Sequence, residues 1–599
     1  MFLPTTRQEM DELGWDRPDI ILVSGDTWID SPFMGIALVG HHLTASGFKV
    51  AVIAQPDIDS AADISRLGEP TLFWGVTGGA VDSMVANYTA SGKRRKRDDY
   101  TPGGDNIRRP DRAVIAYTNL IRRWNKSTVP IVLGGIEASL RRIAHYDSTS
   151  RKIRRSILLD AKADYLIFGM GHNSVLELAC ALRDGQSIEG IRGLARILAE
   201  PRGLELPSFE ETQGSMAAYA RSFELFYNNM DAITAEPLCQ KYGNRWLVLS
   251  TPPLPPTQEE MDALHDLNYE RAVHPFYAQQ GEVRAMETLR FSIPSHYGCY
   301  GECNFCAIAV HQGRTVSSRS KESIVQEAKL MAAQPDFKGY IHDLGGPTAN
   351  MYGFECQKKL KKGACADRRC LYPTICPSLR PDHGVQLDLL AAVEAIAGVK
   401  KVFVSSGIRQ DLILADHKNG ARYIRKICRD HVSGQLKLAP EHTSEKVLRL
   451  MGKPDIEELL KFKEEFDRLS KEAGKKQFLT YYFIAAHPGC TLRDMEETRV
   501  FCHEKLGMTP EQVQIFTPTP STWSTLMYAT GCDFQTGEKI FVERDTARKE
   551  KQKGALVARP RDGKSPRRQG KNLQKARGKS SAAARVPEQK RSRKPRKKQ

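Results

Sequence analysis

No stretch of the 599 residues approaches the ~18 uninterrupted apolar side chains that a membrane-spanning helix needs. The opening residues, Met1 to Arg7, also lack the basic stretch followed by a long apolar one that directs export. We therefore expect a cytoplasmic chain with no membrane partner. Collagen-like or globally disordered compositions are absent too, because 46 Gly and 32 Pro accompany 41% apolar residues. Repeats of solenoid length are missing.

Net charge is likewise missing from most of the chain. The total is +17, yet residues 543–599 hold 22 Lys and Arg against 5 Asp and Glu, so residues 1–542 carry 66 of each sign and cancel. The body predicts no overall attraction to nucleic acid, and the polybasic end suits sequence-independent attraction to phosphates, which fits RNA or the ribosome as partner and equally a solubilising tail with no dedicated partner. That end has no aromatic residue beyond Phe541, so it offers nothing for bases to stack on. Its polarity predicts disorder from about residue 543.

What is present is an α/β pattern. From Asp19, IILVSGD reads as a buried strand, and ALVGHHLTASGFKVAVIAQPD as helix, glycine stop and second strand. The pattern recurs with LFWGVTGG, PIVLGGIEAS and DYLIFGMGHNSVLELACAL. It predicts an open, parallel, Rossmann-like α/β domain over residues 1–200, with Gly25, Gly78, Gly79, Gly134, Gly135, Gly169 and Gly171 on the strand ends where such sheets bind ligands. Residues 201–280 read as a bridging helical segment. A second series follows: TLRFSIPSHYG, GYIHDLGG, KKVFVSSGIR, GQLKLAPEH, QFLTYYFIAAHPG and VQIFTPTP, with helices between most of them. Six such strands predict a partial (β/α)6 barrel over 281–530, a Cys-rich insertion at 350–378 and a C-terminal extension over 531–599.

Seven of the thirteen cysteines fall between Cys299 and Cys376, and thiols clustered in this way in an unexported chain read as metal ligands. Cys299, Cys303 and Cys306 follow the first barrel strand in GCYGECNFCAIAVHQGR. Three thiolates leave one iron of a four-iron cluster open to another molecule, whereas a closed site takes four protein ligands. By spacing alone, a Cys3His zinc site using His296 or His311 is the alternative.

This spacing, with Phe305 before the last cysteine, resembles the radical S-adenosylmethionine (SAM) superfamily. The resemblance implies a [4Fe-4S] cluster on Cys299, Cys303 and Cys306 whose open iron chelates SAM, and reductive cleavage of SAM to a 5′-deoxyadenosyl radical. It also implies an electron donor such as flavodoxin or ferredoxin. Further matches place Gly345 and Gly346 at the turn against the SAM amino group, with Pro347 where the family has an acid. Glu441 matches the segment near the ribose and carboxylate, and Pro488 and Gly489 the bend near adenine. The wider resemblance is to the YgiQ-type (UPF0313) proteins, through FLPTTRQEM, GWDRPDIILVSGD, YTPGG, RRPDRA, GGIEASLRRIAHYD, VSGQLKLAPEH and HPGCTLRDM. It names the initiating chemistry and leaves the substrate open, RNA and protein included.

A second group, Cys356, Cys365, Cys370 and Cys376, suggests an auxiliary iron–sulfur cluster or structural zinc. The N-terminal sheet resembles cobalamin-binding domains, but the Asp-x-His-x-x-Gly fingerprint is replaced by GDTWIDSPFMG, which argues against cobalamin and for a substrate or partner platform. His145 and His172 read as satisfied loop histidines. The basic runs at 93–97 and 141–156 suit phosphate contact or, more commonly, a solvated charged face. The reading from a different class is a noncatalytic, zinc-stabilised RNA-binding protein.

Overall fold

Ile20–Ser24 is buried along its whole length, as a strand must be when helices cover both faces of a parallel sheet. In the computed structural model, which describes residues 1–557, it pairs in parallel with Val50–Ala54 on one side and Phe73–Thr77 on the other. Ile131–Gly134 and Tyr165–Ile167 continue the parallel order. The spatial sequence of these five strands is second, first, third, fourth, fifth, a doubly wound arrangement. Its switch point lies between Ile20–Ser24 and Phe73–Thr77, and ligands bind such sheets beyond the strand ends there.

Residues 201–280 are not simply a helical bridge. They contain the Met216–Asn228 helix, but also Leu204–Leu206, Leu238–Tyr242 and Arg245–Leu249, which extend the sheet to nine strands through Leu194–Leu198. The hairpin between Tyr242 and Arg245 turns on Gly243, whose φ of +60° lies in the region that favours glycine.

All six strands expected after residue 281 are found, and every pairing between them is parallel. Ser292–Pro294 pairs with Asp343–Gly345, Tyr340–Ile341 with Lys401–Val402, Gln435–Glu441 with Phe478–Ala485, and the last with Gln512–Ile515. A bridge between Ile408 and Leu438 joins the third strand to the fourth. Among the described residues, Gln512–Ile515 does not pair back to Ser292–Pro294, so the barrel is partial. Alternate residues of Phe478–Ala485 are buried against a core that includes Ile293, Leu344, Val402, Leu438 and Val513. Val310, Phe516, Trp523 and Leu526 pack instead into the core of the first sheet, so the two halves share apolar side chains.

The expectation of disorder from residue 543 is corrected in its first part: Thr546–Val557 is a helix. Its inward face is Lys549, Gln552 and Leu556, and only the last is apolar, so hydrophobic periodicity does not reveal it. Lys549 donates to the Tyr528 hydroxyl at 2.9 Å, while Leu556 is fully buried in the barrel core. The remaining basic residues, with the RNA expectation attached to them, lie outside the described residues.

Candidate functional site

The loop carrying Cys299, Cys303 and Cys306 leaves the first barrel strand through Gly298, where φ is +84° and a Cβ would lie 2.0 Å from the Thr315 carbonyl oxygen. Only glycine fits. Cys299 Sγ accepts the Gly301 N–H at 3.4 Å, and a Cβ on Gly301 would meet the sulfurs of Cys299 and Cys303 at 3.2 and 3.8 Å. The two thiols therefore flank one glycine. Burial pushes the Cys306 thiol up to about 12, and the neighbouring Cys303 adds to the shift. Burial and Cys303 raise Cys299 in the same sense. Thiols so placed ionise when a cationic metal centre offsets the buried charge.

A Cys3His zinc site is not assembled among the described residues. Four ligands of a tetrahedral zinc stand about 3.8 Å apart. Among the described residues, the only three Cys, His, Asp or Glu whose ligand atoms all lie within 4.8 Å of one another are Glu394, Asp430 and His431. That trio is already bridged by Lys426, whose Nζ is 2.7 Å from Glu394 and 2.8 Å from Asp430. His296 Nε2 donates to the Thr348 carbonyl at 3.1 Å, and His311 Nδ1 is 3.0 Å from the Ser139 hydroxyl.

Of the segments named from the sequence, the turn after the second barrel strand reaches the thiols directly. Gly345 ends its strand and its carbonyl accepts the Ser295 N–H at 2.7 Å, while a Cβ on Gly346 would lie 2.6 Å from the His296 ring. This turn, completed by Pro347, brings Thr348 Oγ1 to 3.8 Å from Cys299 Sγ. Glu441 ends the fourth strand at φ +69°, its carboxylate buried and 4.0 Å from Lys453 Nζ. Burial pushes that carboxyl up to about 7 against the pull of Lys453 and Arg409. Left-handed backbone at a non-glycine residue costs about 1–2 kcal/mol and concentrates at functional sites. At the bend after the fifth strand, Gly489 has φ +87° and follows Pro488, whose carbonyl lies 2.9 Å from His487 Nδ1; the His487 ring meets Phe305 edge-on at 6.4 Å.

Arg409 was not legible as a site residue. Buried after the third strand, it places Nη1 4.0 Å from Cys303 Sγ and holds Asp411 through Nε at 2.8 Å. Its position in SSGIRQD, just past a barrel strand, is the signal that could have found it.

The second cysteine group is partly assembled. Cys356 and Cys370 pack with Tyr300 and Leu371 beside Cys299, and the Cys376 N–H donates to the Cys370 carbonyl at 2.8 Å. Cys365 follows Ala364, whose N–H donates to Asp231 at 3.0 Å. No three of these sulfurs lie within 4.8 Å of one another. All thirteen cysteines are free thiols.

In the first half, His172 is no loop residue: it opens the His172–Asp184 helix, and its buried Nε2 has no partner among the described residues. His145 sits in the His145–Asp147 strand, its Nε2 likewise without one. Arg141 and Arg142, read as part of a solvated face, are buried, Arg141 against Asp82.

The family model described as Radical SAM N-terminal matches residues 2–292, and that of the Radical SAM superfamily matches residues 293–502. A UPF0313 protein of Fusobacterium nucleatum is 53% identical over 566 residues, covering 94% of this chain and 100% of that protein. One from Thermotoga neapolitana is 50% identical over 558 residues, 92% of this chain and 98% of that one. Among solved structures, the radical SAM methyltransferase TsrM from Kitasatospora setae, with cobalamin and a [4Fe-4S] cluster bound, aligns at 15% identity and a TM-score of 0.47. The match covers 84% of this chain and 73% of TsrM.

Proposed function

The chain belongs to the UPF0313 proteins of the radical SAM superfamily, and from that premise we propose that it cleaves SAM reductively at a [4Fe-4S] cluster held by Cys299, Cys303 and Cys306. The observation that carries this reading is the meeting of three half-buried thiols with the Gly345–Thr348 turn, Arg409 and Glu441 at the ends of parallel strands. The donor set fits such a cluster: three sulfurs spread wider than a single ion's ligand shell, with both nearby imidazoles engaged elsewhere.

When bound, the cluster supplies one electron at low potential and an open iron for the amino acid end of SAM. The chain's own groups do the rest. Arg409 sets a positive charge beside the Cys303 and Cys299 sulfurs and offsets part of the rise that burial gives the Cys299 thiol. The turn at Gly345, Gly346 and Pro347 offers backbone groups without a side-chain acid. Glu441, poised near neutrality by burial, can accept a hydrogen bond from a ribose or ammonium group. The bend at Pro488 and Gly489, with His487 edge-on to Phe305, would lie along the adenine of SAM. The strands around the site would limit the access of water to a reactive radical.

An external one-electron donor such as flavodoxin or ferredoxin fits this chemistry. Among the described residues, no helix is long and apolar enough to cross a membrane. The second cysteine group would hold an auxiliary iron–sulfur cluster or a structural zinc ion, though no three of its sulfurs lie within 4.8 Å of one another.

Anaerobic reconstitution with iron and sulfide tests the reading. Broad absorption in the visible blue together with formation of 5′-deoxyadenosine from SAM and dithionite supports it. Stoichiometric zinc with no iron and no SAM cleavage, as expected of a zinc-stabilised RNA-binding protein, overturns it.

A further inference from the structure

The strand ends of the first sheet close over a cavity of about 310 Å³. Gly79, Gly134, Gly135 and Gly169 form part of its lining, and Leu22, Leu38, Val39 and Phe73 supply apolar wall. Its far side is Tyr297 and Gln312, from the segment that carries the cysteines. The Gly298 N–H donates to Gln312 Oε1 at 3.1 Å and the Cys299 N–H to the Gly313 carbonyl at 3.3 Å, so an occupant rests against the backbone that positions Cys299.

The polar groups of the cavity specify the occupant's charge. No Lys or Arg lines it among the described residues, and its one carboxylate, Asp26, is held by Arg109 at 2.7 Å. Two helices begin on the wall, Gly35–Ala45 and His172–Asp184, with 11 and 13 residues, and neither has a side-chain cap. The first N–H groups of each helix are left without partners and carry about half a positive charge. Beside them His172, 4% exposed, keeps an unpartnered Nε2. Two half-charges offset one negative charge, not the two of a phosphate monoester, and apolar walls with no cation disfavour the latter.

We propose that this cavity binds a small organic monocarboxylate with an apolar body, its carboxylate between the two helix starts beside His172 and its apolar part along Leu22, Leu38 and Phe73. The volume suits a ligand at the small end of the usual range, ~300–1,000 Å³. Calling that ligand the molecule acted on rests on the radical SAM reading, because of the shared wall with the cysteine loop. Its binding does not.

Equilibrium dialysis of the full chain against 4-phenylbutyrate, its amide, 4-phenylbutylamine and adenosine monophosphate tests the proposal. The carboxylate should bind about tenfold more tightly than the amide or amine. His172→Phe should lose most of that preference, and Val39→Trp, which fills the cavity, should lose all binding with an unchanged melting temperature. Equal affinity for the three phenyl compounds, no binding of any, or tighter binding of adenosine monophosphate overturns it, whether or not either variant folds. SAM cleavage measured on the same protein separates the two claims. Cleavage without carboxylate selectivity defeats this one alone, and selectivity without cleavage defeats the radical SAM reading alone.

Discussion

Gln552 clamps the turn after the fifth barrel strand by accepting the Ala486 N–H at 3.0 Å, while its Nε2 donates to the Cys490 carbonyl at 3.3 Å. Ala486 stands at φ +57°, a conformation that needs such an outside restraint. The C-terminal helix therefore belongs to the barrel. Removing residues 558–599 should leave the thermal midpoint of the body unchanged, whereas removal from 543 exposes Leu556 and frees the Ala486 turn. Gln552→Ala should cost about 1–3 kcal/mol in denaturant unfolding, the penalty of leaving a buried N–H unsatisfied. An unchanged midpoint in the longer deletion contradicts the assignment.

Substitution of Cys303 by Ala removes one of two sulfurs that flank Gly301 and the one nearest Arg409. Iron retained after anaerobic reconstitution should fall by about four atoms per chain, and 5′-deoxyadenosine should not form. Cys180→Ala, on the outer His172–Asp184 helix, should change neither. Retention of both signals by the Cys303 variant refutes the ligand assignment.

Arg409 and Asp411 form a buried ion pair, so losing one partner leaves the other charged and unsolvated. Arg409→Met should destabilise the protein by about 3–5 kcal/mol, and the double variant Arg409→Met, Asp411→Leu should recover most of that loss. Denaturant midpoints of the three proteins decide it. If the double variant is as unstable as the single, packing rather than charge governs this corner.

The sequence made the parallel strands, the cysteine loop and the glycine turns legible because each rests on local chemistry: buried Val and Ile runs, close thiol spacing, and positions such as Gly298 where a Cβ would strike a carbonyl. What it hid depends on partners distant in the chain. The Leu238–Tyr242 and Arg245–Leu249 hairpin finds its place only by pairing with Leu194–Leu198, and Thr546–Val557 is held by polar contacts to Tyr528 and Ala486. Arg409 reaches Cys303 across 106 residues. His172 looked like an ordinary loop histidine because nothing nearby announces that its Nε2 lacks a partner.

If the second cysteine group holds an auxiliary cluster, fully reconstituted protein should carry about eight iron atoms per chain and little zinc. Cys370→Ala should reduce that to about four while leaving SAM binding at the first site. About one zinc per chain, retained in the Cys303 variant and lost in the Cys370 variant, would instead mean that the four sulfurs draw together around a single ion.

Three histidines predict how stability follows pH. Burial lowers His145 to about 4, with Arg141 adding to the shift; burial and His42 lower His172 to about 4; burial lowers His487 to about 3. Unfolded, each titrates near 6.5, so between 6.5 and 4 the unfolded chain binds more protons than the folded one. Stability contributed by keeping these rings neutral is therefore complete above about pH 7 and declines as acid is added, each ring subtracting on the order of 1–3 kcal/mol by about pH 4. Urea unfolding across that range should give midpoints that fall steadily with acidity. His145→Gln, which cannot take up a proton, should fall less steeply, and parallel profiles for it and the parent protein would show that His145 ionises equally in both states.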